Sequence, residues 1–182
     1  MTKGVEGLLT SSSELAKEIP MEHAIKLLIV DDEARFLSAI AQRLTKRGFE
    51  VRTASNGPDA IALANQEKFD IALLDLKMPG MDGGEVLKVL KSHHQFLEAI
   101  ILTGHGSLES AVELTRLGAF SYLPKPYELD KLIEVLKDAY QARLKKKFSA
   151  DEVRLEKLMS LASGESALGI LRKMRELDDS RR

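Results

Sequence analysis

Between residues 27 and 124 the chain alternates short unbroken apolar runs with segments whose apolar residues recur every three or four positions. The runs are Leu27-Leu28-Ile29-Val30, Ile71-Ala72-Leu73-Leu74, Ile100-Ile101-Leu102 and, more weakly, Tyr122-Leu123. A strand that is apolar on both faces is buried on both faces, as in a parallel sheet covered by helices on either side. Val51-Arg52-Thr53-Ala54 alternates instead, which suits a half-exposed edge strand. Helical stripes fall between the runs: Phe36, Ile40 and Leu44 before Gly48; Ile61, Ala62 and Ala64 behind Pro58 at a first helical position. Three more follow: Val86, Leu87 and Leu90; Ala111, Val112, Leu114 and Leu117 before Gly118; Leu132, Ile133, Leu136 and Tyr140 in a helix from about Glu128. Five strands and five helices in alternation predict a doubly wound α/β domain.

In such sheets ligands bind beyond the carboxyl ends of the strands. The residues at those ends are Asp31 and Asp32 after the first run, Asp75 after Leu74, Thr103 after Leu102, and Lys125 just past Leu123. Three carboxylates, one hydroxyl and one ammonium are thus expected at one edge. Carboxylates so gathered repel one another unless a cation neutralises them. Hard oxygen donors favour Mg²⁺, which keeps several waters and takes substrate oxygens as ligands. A carboxylate beside such a metal and a lysine is arranged to attack a phosphoryl group.

These residues also carry a resemblance. Leu28-Ile29-Val30-Asp31-Asp32-Glu33 resembles the opening of a response-regulator receiver domain. Asp75 through Gly83, Thr103-Gly104-His105-Gly106-Ser107 and Tyr122-Leu123-Pro124-Lys125-Pro126 resemble its later motifs, in order, over roughly residues 25–145. The resemblance implies a flavodoxin-like sheet of strand order 2-1-3-4-5. It implies that Asp75 is the phosphoacceptor, supplied by a phosphohistidine on a sensor histidine kinase. Asp32 and Asp75 are expected to ligate Mg²⁺ directly, Asp31 through water, and the Lys77 backbone carbonyl as a further ligand. Thr103 and Lys125 are expected to hold phosphoryl oxygens, with Tyr122 as the switch aromatic that follows Thr103. Lys77 and His105 occupy the positions that tune dephosphorylation; neither is a carboxamide or carboxylate, so the acyl phosphate is expected to hydrolyse slowly. The Lys125–Pro126 bond is expected to be cis.

Other readings compete at single residues. Asp31 or Asp32 is a plausible helix cap in isolation, and Asp82 is read as the cap of the helix behind it. His93-His94 point apart with no third ligand nearby, so they mark an exposed helix end. A haloacid-dehalogenase-type phosphatase needs a second Asp two positions after its nucleophile, where Lys77 stands. A flavodoxin-like electron carrier needs a Ser/Thr-rich phosphate loop after the first strand, which is missing. The chain has no cysteine, which removes thiol, disulfide and iron–sulfur chemistry, and its low aromatic content argues against a nucleic-acid stacking surface. With no apolar run of membrane-span length, the protein is read as cytoplasmic, with no membrane or nucleic-acid partner. It is also read as no enzyme beyond its own phosphorylation and dephosphorylation.

Charge divides the chain further. Residues 1–22 read as a leader, with Met21 an alternative start; residues 23–145 form the receiver-like unit; residues 146–182 form a tail. From residue 143 onward there are 11 basic and 7 acidic residues, against an acidic excess before. Ser149-Ala150-Asp151-Glu152 suggests a capping box opening a helix with Val153, Leu155, Leu158, Met159 and Leu161. Beyond Ser163-Gly164 a second helix carries Leu168, Ile170, Leu171, Met174 and Leu177. Two short amphipathic helices cannot bury their stripes alone. They are expected to stabilise a homodimer or to bind a protein partner, the competing arrangement being a fold back onto the receiver. The remaining alternative is the receiver of a transcription regulator whose effector domain lies outside this sequence.

Overall fold

The computed structural model describes residues 24–104, 112–113, 115–161 and 165–180. The predicted leader and His105 therefore lie outside the described residues. Five parallel strands, β1 (Lys26–Val30), β2 (Glu50–Ala54), β3 (Ile71–Asp75), β4 (Glu98–Thr103) and β5 (Ser121–Pro124), form one sheet in the order β2-β1-β3-β4-β5. Helices α1 (Ala34–Thr45), α2 (Gly57–Gln66) and α3 (Gly83–His93) connect the first strands, and α4 (Leu129–Lys147) follows β5. The unbroken apolar strands supply both layers. Leu27, Ile29, Ile71, Leu73, Ile100 and Leu102 face α1 and α4, while Leu28, Val30, Ala72, Leu74, Ala99 and Ile101 face α2 and α3. Val51 to Thr53 of β2 remain partly or fully exposed, as an edge strand should.

Several local expectations need correction. In α2 the cap is Asn56, whose side chain accepts the Asp59 amide at 2.9 Å, so Pro58 is the second helical residue. Its buried face is Gly57, Ala60 and Ala64, and Ala62 is exposed. Residues 112–113 and 115–116 are helical before Gly118, yet Val112 and Leu117 point outward; Ala111 and Leu114 of that stripe lie outside the described residues. Strand β4 begins two residues before its apolar run, at Glu98. That side chain is buried because Lys91, at 2.9 Å, and Lys146 both reach it.

The tail is where the structure departs most from expectation. Helix α4 runs unbroken across the charge boundary to Lys147, and Phe148 beyond it is buried. Helices α5 (Glu152–Ser160) and α6 (Ala167–Asp179) then fold back onto the receiver. Ala167, Leu171 and Met174 join the cluster of Ile25, Phe49, Tyr140 and Leu144, so the α6 stripe is satisfied within the chain and is not left over for a second subunit. In α5 only Leu158 is fully buried, whereas Val153 and Met159 are exposed. The cap of α5 is Asp151, which accepts the Arg154 amide at 3.2 Å; the capping box from Ser149 is not formed. Asp151 already lies next to the helix and its carboxylate reaches the third amide, which leaves Ser149 two residues too early to cap it.

An ionic cluster fixes this docking. Asp178 near the end of α6 accepts hydrogen bonds from Tyr140 at 3.2 Å and Arg143 at 3.0 Å, and from Lys147. Arg143 also pairs with Asp70 at 2.8 Å, and Asp70 accepts the Lys26 amide at 2.9 Å. Arg154 of α5 donates to the backbone carbonyls of Leu177 and Asp178, groups that the end of α6 leaves without helical partners. Ile25, Phe49 and Asp70 all precede strands, so the tail closes the amino ends of the sheet.

Candidate functional site

The opposite end of the sheet gathers the carboxylates. Asp31 follows β1 directly, and its Oδ1 accepts the Glu33 amide at 2.9 Å, which turns the chain into α1. Neither Asp31 nor Asp32 caps that helix: its cap position is Glu33, which makes no side-chain capping bond. Asp75 is the last residue of β3 and is buried. Oxygens of Asp31, Asp32 and Asp75 lie within 4.8 Å of one another; Asp31 and Asp75 are buried and Asp32 is exposed. Lys125 follows β5, its amide donating to the Thr103 carbonyl at 2.7 Å, and the next peptide bond, to Pro126, is cis as expected. Its Nζ donates to Asp31 at 2.5 Å and Asp75 at 3.2 Å.

Two close backbone contacts hold Asp75 in place. The Leu76 amide donates to the Leu102 carbonyl at 3.1 Å, and the Gly83 amide to the Leu76 carbonyl at 3.1 Å. A Cβ on Gly83 would come within 2.2 Å of the Asp75 carbonyl oxygen, so only glycine lets α3 start against this strand end. Asp82 caps α3, as the sequence indicated, and the structure adds Glu85, which completes a capping box. The need for glycine at position 83 is not legible in its spacing, because the clash is with a residue eight positions earlier.

Of the three carboxylates, the single ammonium contacts two. Burial pushes the Asp75 carboxyl above the ordinary carboxylate range; Lys125 opposes that shift and Asp31 adds to it. Burial works against the charged form of Lys125 as well, but Asp31 and Asp75 outweigh it and hold the ammonium above its usual value. Such a cluster is short of positive charge, and its donors are all hard oxygens, so a divalent cation such as Mg²⁺ fits the residues present. Thr103 is buried at the end of β4, on the strand next to Asp75. Tyr122 on β5 is 44% exposed, and the Lys77 side chain is exposed. His93 and His94 end α3 away from this cluster, His93 being exposed, in accord with their reading as a helix terminus.

The sequence reading missed one neighbour of the site. Phe36, read only as part of the α1 core stripe, places its ring 4.2 Å from the Lys125 ammonium. An aromatic one helical turn past the acidic pair is the available signal, but the same spacing serves core packing equally well.

Comparison with known proteins agrees with this geometry. The family model for the response regulator receiver domain matches residues 27–137. The transcriptional regulatory protein GlrR of Escherichia coli is 38% identical over 115 residues, which cover 63% of this chain and 26% of that protein. The DNA-binding transcriptional regulator NtrC of Salmonella typhimurium is 36% identical over 111 residues, covering 61% of this chain and 24% of that one. The chain thus spans about a quarter of the length of the curated relatives it matches. Among solved structures, the chemotaxis protein CheY4 of Vibrio cholerae superposes with a TM-score of 0.61 at 32% identity, covering 64% of this chain and 98% of that one. NtrX from Brucella abortus gives 0.67 at 30% identity, covering 76% of this chain and 34% of that one. With the sheet order, the acidic cluster and the family model in agreement over the same residues, the chain belongs to the response-regulator receiver family of two-component signalling.

Proposed function

We propose that the protein is a signalling switch that accepts a phosphoryl group on Asp75 from the phosphohistidine of a sensor kinase. The observation that carries this is the convergence of Asp31, Asp32 and Asp75 with Lys125 contacting two of them at the carboxyl end of the sheet. An Asp75 carboxylate oxygen forms a bond to phosphorus as the phosphorus–nitrogen bond breaks, and the departing imidazole recovers the electron pair and takes up a proton. Asp32 and Asp75 directly, Asp31 through water and the Lys77 carbonyl would hold Mg²⁺, which would supply positive charge to the transferring oxygens. Lys125 exchanges a carboxylate for a phosphoryl oxygen, Thr103 donates its hydroxyl to another, and Tyr122 follows Thr103 inward from its exposed position.

Residues 23–145 are the phosphorylatable unit in this reading and 146–182 an appended tail. The protein acts in the cytoplasm, consistent with the lack, among the described residues, of a helix long and apolar enough to cross a membrane. It turns over nothing besides its own acyl phosphate. Because α6 buries its apolar stripe within the chain, contact with a second copy or a partner falls to the exposed apolar side chains Val112, Leu117 and Tyr122 of the receiver and Val153 and Met159 of α5. Neither Lys77 nor His105 is a carboxamide or carboxylate, the types suited to orienting an attacking water, so the phosphoryl group is held far longer than seconds.

Incubation with acetyl phosphate and Mg²⁺, followed by peptide mapping, tests the reading. A label on Asp75 that disappears in Asp75→Asn and on chelation of Mg²⁺ is expected; a label that survives Asp75→Asn overturns it. A second reading, an input domain serving a transcriptional effector, is favoured by the named functions of the relatives and the quarter of their length that is matched. The reading frame beyond Arg182 decides between output through contacts alone and output through such an effector.

A further inference from the structure

The Lys125 ammonium has a third neighbour besides its two carboxylates. Phe36 on α1 presents its ring face to Nζ at 4.2 Å from the centroid. Tyr127, two residues beyond Lys125, meets the same ring edge-on, with centroids 6.4 Å apart and planes at 90°. That is the preferred geometry of an aromatic pair. The Tyr127 hydroxyl is buried without a hydrogen-bond partner among the described residues, so what this side chain contributes here is its ring. Phe36 is also only half-buried, and with Ile40, Pro126 and Tyr127 it borders an open cavity of about 440 Å³. Lys125 borders the same space, so the ring flanks the ammonium at the edge of a solvent-accessible cavity, where a pure core residue would not be placed.

An aromatic face attracts an ammonium without a formal charge and without claiming one of its hydrogen bonds. It stays equally attractive whether the lysine donates to a carboxylate or to another oxygen. We propose that Phe36 is a positioning residue: its ring, braced by Tyr127, keeps the Lys125 ammonium beside Asp75 while that ammonium changes partner from Asp31 to a phosphoryl oxygen. The inference rests on the assignment of Asp75 and Lys125 above and adds α1 to the groups that set the reaction rate.

The test is the rate of Asp75 labelling of the full chain by acetyl phosphate, a donor too small to need a docking surface. Phe36→Leu keeps apolar bulk and removes the ring face. Its maximal rate is expected to fall roughly three- to tenfold, the effect of a partly desolvated cation–π contact, at unchanged half-saturating Mg²⁺. Phe36→Tyr is expected to restore it. An undiminished rate in Phe36→Leu, or an equal loss in Phe36→Tyr, overturns the proposal, since packing alone would then account for the residue. If Phe36→Leu does not fold, Phe36→Met carries the same expectation. Wild-type protein left unlabelled at Asp75 overturns the phosphoacceptor reading itself, whereas a normal wild-type label with an indifferent Phe36→Leu overturns only the role of Phe36.

Discussion

The two ends of the sheet each hold a cluster of buried charge, and the balance within them is opposite. At the carboxyl end three carboxylates, Asp31, Asp32 and Asp75, gather around one lysine that contacts only Asp31 and Asp75, and burial leaves the Asp75 carboxyl raised. At the amino end Asp178 is met by Arg143 and Lys147, with Arg175 at 3.6 Å. Burial opposes the charged form there too, but Lys147 and Arg143 outweigh it and hold the Asp178 carboxyl below its ordinary value. A buried charge with its partners in place is costly to disturb, and one without them is costly to keep. The amino end is built to hold the tail on the receiver. The carboxyl end keeps a deficit of positive charge that a cation and a phosphoryl transfer can use.

The sharpest way to break the amino end is to empty its apolar side. Leu171 is 1% exposed, and Leu171→Ala is expected to cost about 3–4 kcal/mol, read as a shift in urea midpoint. Part of that loss should appear as faster hydrogen exchange in α5 and α6 alone, since the tail can open without the sheet. Asp178→Asn is expected to cost about 3 kcal/mol, the lower part of the range for removing one partner of a buried pair, because Arg143 keeps Asp70. If the urea midpoint stays where it is in Asp178→Asn, the cluster does not hold the tail.

The pH dependence of the tail has a definite sign. The folded Asp178 pKa lies below the unfolded value of 3.8, so its contribution is fully present above pH 3.8 and lost as pH falls through the lower folded value. Tyr140, whose hydroxyl burial pushes up, stays protonated throughout and cannot compensate. Exchange protection in α6 is expected to hold from pH 7 down to about 4 and to drop below that, and to be flat with pH in Asp178→Asn.

The same contrast explains what was legible in the sequence. The strands announced themselves because residues buried on two faces leave unbroken apolar runs, and the strand ends then put Asp31, Asp32, Asp75, Thr103 and Lys125 together. The tail helices were visible as stripes, but what a stripe packs against is decided by groups far away in sequence. Asp70, Arg143 and Asp178 read singly as ordinary surface charges, and only the fold brings them together. Val153 and Met159 fell in the expected stripe yet face solvent, because α5 is held chiefly by Leu158 and by Arg154 at the end of α6. Phe36 satisfied a core pattern and so hid its contact with Lys125.

Thermal unfolding of the wild type, Asp75→Asn and Asp178→Asn, each at pH 7 in EDTA and in millimolar Mg²⁺, tests the opposition of the two ends most directly. A carboxyl whose folded pKa is raised weakens the fold once it is ionised, so Asp75→Asn is expected to melt above the wild type in EDTA and Asp178→Asn below it. Mg²⁺ is expected to raise the wild-type and Asp178→Asn midpoints alike, and that of Asp75→Asn distinctly less. An Asp75→Asn protein that melts below the wild type in EDTA, or that gains as much from Mg²⁺ as the wild type does, would contradict the assignment of the charge deficit to this end.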